Sequence, residues 1–133
     1  MSHLTTINLQ ISDVEAAAQA CRELGLAFNR NDRTCSSSYF TEKCEHTITV
    51  PGSQWKVGVF RNKDNKTFTL GWDQWGVNGR AITEKLGGPE APKFKQLYGV
   101  QAAMLAAKRK GLLVTRTVQP NGSIRLNING RFA

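Results

Sequence analysis

Two cysteines and a histidine lie close together in the sequence and could bind a metal ion. Cys35, Cys44 and His46 are ligand types that zinc prefers, with His3 as a distant fourth. Their spacing matches none of the compact zinc signatures, in which ligands come in close pairs. Free cysteines also occur as small, inert hydrophobic side chains, and Cys21 falls on the apolar stripe of a predicted helix. We therefore predict no metal site and no cofactor.

Groups that could catalyse a reaction are sparse. A nucleophile needs a base and an orienting partner within hydrogen-bond reach, and two histidines without a nucleophile elbow do not indicate such a set. The segment "GWDQWGVNGR" matches neither a phosphate-binding loop nor a dinucleotide fingerprint. Asp73 could act as an acid or base, although an aspartate that caps a turn is commoner. The sequence predicts a protein that is not an enzyme.

The tryptophans of "WDQWG" are the most distinctive local feature. Trp72 ends a predicted strand, Trp75 lies just beyond it, and Arg80 follows a few residues later. Aromatic side chains near a basic residue can stack on nucleobases or form a hot spot for a partner protein. We predict that these three residues bind a partner. The alternative is that both indoles fill the end of the sheet sandwich, because tryptophan is usually heavily buried.

The chain is basic, with 18 Lys and Arg against 10 Asp and Glu, a net charge of +8. Such a field attracts nucleic acids, acidic proteins and anionic ligands without choosing among them. The "KRK" at the end of the second predicted helix also complements the helix dipole. "QWKVGVFRNKDNK" mixes aromatic and basic residues as RNA-binding sheets do, but does not match their consensus. The predicted nucleic-acid-binding residues are Lys108, Arg109, Lys110, Arg116, Arg125 and Arg131.

Length and composition indicate one globular domain, residues 1–133, with 40% hydrophobic and 21% charged residues. The start "MSHLTTINLQ" is unlike a signal peptide, and no apolar run is long enough to span a membrane. Three cysteines without a CxxC pair fit a reducing compartment. We expect a cytoplasmic protein with no membrane partner.

The N-terminal third predicts a strand, a helix and a loop. "TTINLQI" alternates as a half-buried strand does. In "SDVEAAAQACRELG", Ser12 and Glu15 have the spacing of a capping box, and Gly25 suits the left-handed position after the helix. Residues 29–45 have no sustained period, so we predict a loop with a short strand near Tyr39.

Three strands and a second helix are predicted next. "HTITV", "QWKVGVF" and "TFTLGW" alternate and indicate an antiparallel meander. "RAITEKL" predicts a short helical turn, and "PKFKQLYGVQAAMLAAKRKG" a helix that stops at Gly111. Gly99 inside that helix costs about 1 kcal/mol relative to alanine, which a close approach to the sheet would explain. The predicted apolar stripe is Phe94, Leu97, Val100, Met104 and Ala107.

The last segment, "VTRTVQPNGSIRLNING", predicts a β-hairpin around "PNG". Its apolar side, with Ile124, Leu126 and Ile128, should complete the core, and Arg125 should face solvent. Arg116 shares a side with apolar residues and is therefore expected at the edge of the sheet. The predicted fold is α+β, a mostly antiparallel sheet in the order β-α-β-β-β-α-β-β with two helices packed on one face.

Three segments resemble a family of small uncharacterised proteins found in cyanobacteria, in phages and, as a conserved open reading frame, in chloroplast genomes. They are "MSHLTTINLQISDVEAAAQACRELGL", the long second helix and "GLLVTRTVQPNGSIRLNI". The middle of the chain, residues 29–92, matches only in its strand pattern. The resemblance implies an accessory protein, in some genomes a neighbour of an AAA-type ATPase, and it brings no catalytic residues. It also implies that the cytoplasm is that of a bacterium or of the host of a phage.

The leading functional hypothesis is a non-catalytic accessory protein that docks on a partner protein, such as an AAA-type ATPase or another host or phage complex. The alternative is a basic protein that binds single-stranded DNA or RNA. A second alternative is a sponge for anions or nucleotides, which needs a cavity between the meander and the "GGPEAP" loop.

Overall fold

The computed structural model describes residues 4–37 and 40–131, except for the side chain of Arg131. Within this part the chain forms three helices and nine strands, mostly antiparallel, so the predicted α+β class is confirmed. The helices are α1 (Val14–Glu23), α2 (Gly76–Leu86) and α3 (Pro92–Arg109). The strands are β1 (Leu4–Thr6), β2 (Ala27–Arg30), β3 (Thr34–Ser36), β4 (Thr41–Lys43), β5 (His46–Thr49), β6 (Lys56–Arg61), β7 (Phe68–Asp73), β8 (Leu112–Val118) and β9 (Ile124–Arg131).

The main sheet has five antiparallel strands in the order β1-β7-β6-β5-β2. Its centre is the predicted meander, which is confirmed. Alternation along β5, β6 and β7 sends Ile48, Val59 and Leu70 to one face, where they are fully or almost fully buried. The small residues Ala16 and Ala20 let α1 pack closely on this face.

Residues 29–45 were predicted as a loop, and this prediction is wrong. They contain the end of β2, which extends the main sheet, and the separate hairpin β3–β4. These strands have only three or four residues and are largely polar, so they show too little alternation to be recognised. The predicted strand near Tyr39 lies outside the described residues at that position.

The start of α1 differs from the predicted capping box. The N-cap is Asp13, whose Oδ1 accepts a hydrogen bond from the backbone N–H of Ala16 at 3.1 Å. Ser12 therefore lies one residue outside the cap. The side chain of Glu15 reaches Arg30 on β2 instead, with an N–O distance of 2.7 Å.

The helix α3 is the middle layer of the molecule and buries two opposite sides. Phe94 and Tyr98 belong to the main core, which α3 shares with α1. Val100 and Ala107 lie on the other side of the helix and are buried outside that core. The predicted single stripe therefore mixed residues from two sides, because 100° per residue places Val100 far from Phe94 around the helix axis.

The strands β8 and β9 were predicted to complete the main sheet, and this prediction is wrong. They form their own two-stranded sheet, which packs on α3. At the turn of this hairpin, Gly122 O accepts a hydrogen bond from Gln96 Nε2 at 3.1 Å. Arg116 is not an unpartnered edge residue either, because its guanidinium binds Glu23 at the end of α1. We call α3 with β8 and β9 the C-terminal unit.

Two further expectations concern helices. The turn predicted at "RAITEKL" is the second half of α2, an eleven-residue helix. Gly99 does not approach the sheet: it is exposed, and a Cβ added there would meet nothing within 4 Å. No helix in the described ranges has the length and apolar character needed to cross a membrane.

Candidate nucleic-acid interface

Charge is distributed unevenly along this chain. Residues 1–90 contain ten Lys and Arg and ten Asp and Glu, whereas residues 91–133 contain eight Lys and Arg and no Asp or Glu. The whole excess of +8 therefore lies in the segment that forms the C-terminal unit. This difference is readable from the sequence, but the net charge of the full chain conceals it.

Three cations of the C-terminal unit bind acidic residues of the rest of the chain. Arg109 pairs with Asp13 at 2.9 Å, Arg116 with Glu23 at 2.8 Å and Lys95 with Glu90 at 3.3 Å. Arg109 and Arg116 were predicted to bind nucleic acid. Their ion pairs connect α3 and β8 to α1. Their binding to nucleic acid stays a prediction.

Four other cations of the unit are exposed and form no ion pair with any described residue. Lys108 and Lys110 lie at the carboxyl end of α3, immediately before β8, and Arg125 lies near the turn end of β9. Lys93 is at the opposite end of α3. Arg131 ends β9, but its side chain is outside the described part of the chain. The free charges therefore lie at both ends of the hairpin.

The hairpin has an outer face that is polar. Its residues alternate with those that face α3, and all six are exposed. They are Leu113, Thr115, Thr117, Arg125, Asn127 and Asn129. Only Arg125 among them was predicted as a binding residue, because the prediction considered charge alone. Of the other five, four are Thr or Asn at alternate positions of β8 and β9, and Leu113 is apolar.

The predicted docking residues have different environments. Trp72 is fully buried, and its Nε1 donates a hydrogen bond to Thr83 Oγ1 at 3.1 Å. It has no surface to offer a partner, so the predicted set is corrected there. Trp75 is 55% exposed, the neighbouring Val77 is 73% exposed, and Arg80 is also exposed. An apolar patch flanked by a cation remains.

Asp73 caps the turn that precedes α2. Its Oδ1 accepts a hydrogen bond from the backbone N–H of Trp75 at 3.0 Å. The carboxyl is almost fully buried, and its Oδ2 has no partner among the described residues. The commoner of the two predicted uses therefore accounts for Asp73. The absence of enzymatic activity stays a prediction.

All three cysteines are buried free thiols. Burial raises the pKa of Cys21 and of Cys35 to about 12, and it also raises the pKa of Cys44. A thiol with a raised pKa stays protonated at neutral pH and is a poor nucleophile and metal ligand. In residues 4–37 and 40–131, no group of three His, Cys, Asp or Glu side chains could hold a metal ion. His3 lies outside these residues.

His46 is held by its neighbours. Its Nδ1 accepts a hydrogen bond from the backbone N–H of Asn31 at 3.0 Å, and its ring lies 5.4 Å from Phe28 and 5.8 Å from Phe68. Burial lowers the pKa of His46, which favours the neutral ring. This histidine therefore packs in the structure as an aromatic residue that accepts one backbone hydrogen bond.

Two of the four cations in "QWKVGVFRNKDNK" form ion pairs within the molecule. Lys56 pairs with Asp32 at 2.9 Å. Arg61 pairs with Glu45 at 3.2 Å and lies over the ring of Phe68, 5.0 Å from its centre. Lys63 and Lys66 are exposed and form no ion pair with a described residue, so an RNA-binding role of this segment stays a prediction.

Surface depressions bear on the sponge hypothesis. One of about 550 Å³ lies between α1 and β2 and is lined by Glu15, Arg22 and Arg30 among others. The predicted place was the "GGPEAP" loop, where the Pro89 carbonyl accepts a hydrogen bond from Gln74 Nε2 at 2.9 Å and Ala91 is fully buried. An anion or nucleotide sponge stays a prediction.

No family model, curated protein or solved structure matches this chain. The resemblance to the cyanobacterial, chloroplast and phage family therefore stays a prediction, as does the association with an AAA-type ATPase. The geometry and the charge of the C-terminal unit carry the functional argument.

Proposed function

We propose that this chain is a nucleic-acid-binding protein and that the C-terminal unit is its binding surface. The observation that carries the proposal is the segregation of charge: the entire excess of +8 lies after residue 90. Lys108, Lys110 and Arg125 are exposed and have no ion pair among the described residues, so they are available for phosphates. Counterion release on contact with phosphates drives binding of this kind.

The proposal reverses the order of the two hypotheses drawn from the sequence. Trp72 is buried and cannot contact a partner protein, which weakens the docking hypothesis. Of the predicted nucleic-acid-binding residues, Lys108 and Lys110 are exposed together at the end of α3. Arg109 and Arg116 then serve binding indirectly, because their ion pairs with Asp13 and Glu23 fix the position of the unit.

Neutralising the free cations tests the proposal. We expect Lys108→Gln/Lys110→Gln/Arg125→Gln to weaken binding to DNA about tenfold or more at low salt, measured by fluorescence anisotropy. The plot of log affinity against log salt should become shallower by about 0.9 for each lost contact with duplex DNA. All three residues are exposed, so the thermal unfolding curve should barely change.

A matched control separates a local site from a general charge effect. Lys43→Gln/Lys63→Gln/Lys85→Gln lowers the net charge equally but changes exposed lysines in residues 1–90. This variant should bind almost as the original protein does. Equal losses in both variants, or no binding of any nucleic acid at low salt, would remove the proposal.

A second candidate function is docking on a partner protein through Trp75 and Val77. Exposures of 55% and 73% are unusual for such residues, and Arg80 beside them favours a partner with an apolar patch and acidic rim. Trp75→Ala should weaken affinity capture of such a partner without altering stability. Val118→Ala, at an exposed apolar residue of the hairpin, is the control, and equal capture by both variants would count against docking at Trp75.

A further inference from the structure

The C-terminal hairpin is a ribbon of two strands with no third strand paired to it in the described part of the chain. Pairing of Thr115 with Asn127 and of Thr117 with Arg125 fixes its outer face. On the opposite face, Val114 and Leu126 turn toward α3 and are half-buried, while Val118 and Ile128 are exposed. The ribbon is therefore supported from one side and free on the other.

The outer face has a composition that stability alone does not explain. Asn is disfavoured in strands, yet Asn127 and Asn129 occupy alternate positions of β9. Neither side chain, nor that of Arg125, forms a hydrogen bond or ion pair with another described residue. The donors and acceptors of these side chains are therefore available to a ligand.

These side-chain types are the ones that read base edges. Arg contacts the O6 and N7 of guanine, Asn contacts the N6 and N7 of adenine, and Thr contacts either purine or the thymine methyl. Neither β8 nor β9 contains an acidic residue that would repel phosphates. The nearest free cations, Lys108 and Lys110, lie where β8 begins.

The shape of the ribbon selects duplex DNA. Two strands lie about 4.8 Å apart, and a two-stranded ribbon fits the major groove of B-DNA, which is about 12 Å wide. The major groove of A-form RNA is too narrow for it. Successive outer residues of β9 are about 6.8 Å apart, close to the rise of two base pairs. Arg125, Asn127 and Asn129 can therefore reach different base pairs along one groove.

We infer that the outer face of the C-terminal hairpin enters the major groove of duplex DNA. Arg125, Asn127 and Asn129 contact base edges there, while Lys108 and Lys110 contact flanking phosphates. The inference rests on the proposed function and adds to it the class of nucleic acid, the groove and the residues that give sequence preference.

Selection from duplexes with a random central sequence, followed by anisotropy on an enriched duplex, tests the inference. The protein should enrich a short preferred sequence and bind it more tightly than duplex RNA or single strands of the same sequence. Replacing the purines by 7-deazapurines removes N7 from the major groove and leaves the minor groove unchanged. We expect this replacement to weaken binding about tenfold.

Asn127→Ala/Asn129→Ala should abolish the sequence preference while the salt-dependent binding to any duplex remains. Asn8→Ala/Gln10→Ala removes two exposed amides elsewhere and should keep the preference. Duplex binding that is insensitive to 7-deazapurines, or equal binding of RNA duplexes or single strands, would overturn the inference and leave the proposed function standing. Failure to bind any nucleic acid at low salt would remove both.

Discussion

At the scale of single residues, Glu23 connects three elements. Its Oε2 accepts hydrogen bonds from Arg116 Nη1 on β8 at 3.0 Å and from Gln101 Nε2 on α3 at 2.6 Å. Its Oε1 forms an ion pair with Arg116 Nη2 at 2.8 Å. The hydrogen bonds from Arg116 lower the pKa of Glu23, although partial burial opposes them. The carboxylate at the end of α1 therefore holds the hairpin in place.

Glu23→Gln should reduce stability by about 1 kcal/mol at neutral pH, because a bidentate Arg–carboxylate contact is lost. The lowered pKa means that the carboxylate stabilises the fold above its ordinary value of 4.5 and that this contribution disappears as the pH falls through the lowered value. Thermal unfolding from about pH 7 to about pH 3 measures the difference between the two proteins. The stability difference between the original protein and Glu23→Gln should shrink in acid. The control Glu84→Gln, at an exposed residue, should be about as stable as the original protein at every pH.

The two tryptophans of "WDQWG" show what residue type alone could predict. Trp72 continues the alternation of β7 and turns into the core, while Trp75 falls beyond the strand at the N-cap of α2 and turns outward. The sequence analysis placed Trp72 at the end of this strand and Trp75 just beyond it. It still indicated both as binding residues, because it weighed their aromatic type and not the alternation that turns Trp72 into the core.

At the scale of elements, the two glycines inside helices have opposite surroundings. Gly99 of α3 is exposed, with open space where a Cβ would lie, whereas a Cβ at Gly79 of α2 would overlap the backbone of Asp73 and Gln74. Only Gly79 is therefore needed for packing. Gly99 has backbone freedom in the unfolded chain, and no neighbour requires the space where a Cβ would lie.

Gly99→Ala should stabilise the protein by up to about 1 kcal/mol, because alanine has the higher helix propensity and reduces the freedom of the unfolded chain. The expected rise in Tm is a few degrees. Gly79→Ala, the matched change in α2, should destabilise the protein because backbone must shift to admit the methyl group. Calorimetry of the two variants measures both changes in Tm. A lower Tm for Gly99→Ala than for the original protein would contradict the predicted stabilisation.

The elements predicted from the sequence match the structure best where a periodic apolar pattern extends over many residues. The meander and the helices α1 and α3 follow from periodicity, but the layer to which an element belongs does not. The apolar residues of β8 and β9 alternate as they would in a core strand, yet they cover α3, which itself buries two sides. Short polar strands such as β3 form because of the strand they pair with, so no local pattern marks them.

At the scale of the whole molecule, the part that contains the main sheet holds the buried core, and the C-terminal unit holds the excess charge. The core of the main sheet is fully buried, and residues 1–90 are neutral overall. The hairpin carries exposed apolar residues, Val118 at 65% and Ile128 at 52%, and pairs with no other strand in the described part of the chain. A two-stranded sheet is marginally stable without packing, so α3 and the Glu23–Arg116 pair must support it.

This division predicts a hierarchy of amide hydrogen exchange. The central strands β5 and β6 have neighbours on both sides and should exchange only through global unfolding, whereas β8 and β9 should open locally at a lower free energy. Duplex DNA should slow exchange in β8 and β9 and at the end of α3, while β5 and β6 stay unchanged. Mass-resolved exchange with and without DNA measures both effects. Equal protection of all strands without DNA would show that the hairpin unfolds together with the main sheet. Protection by DNA at other segments would show that the C-terminal unit is not the interface.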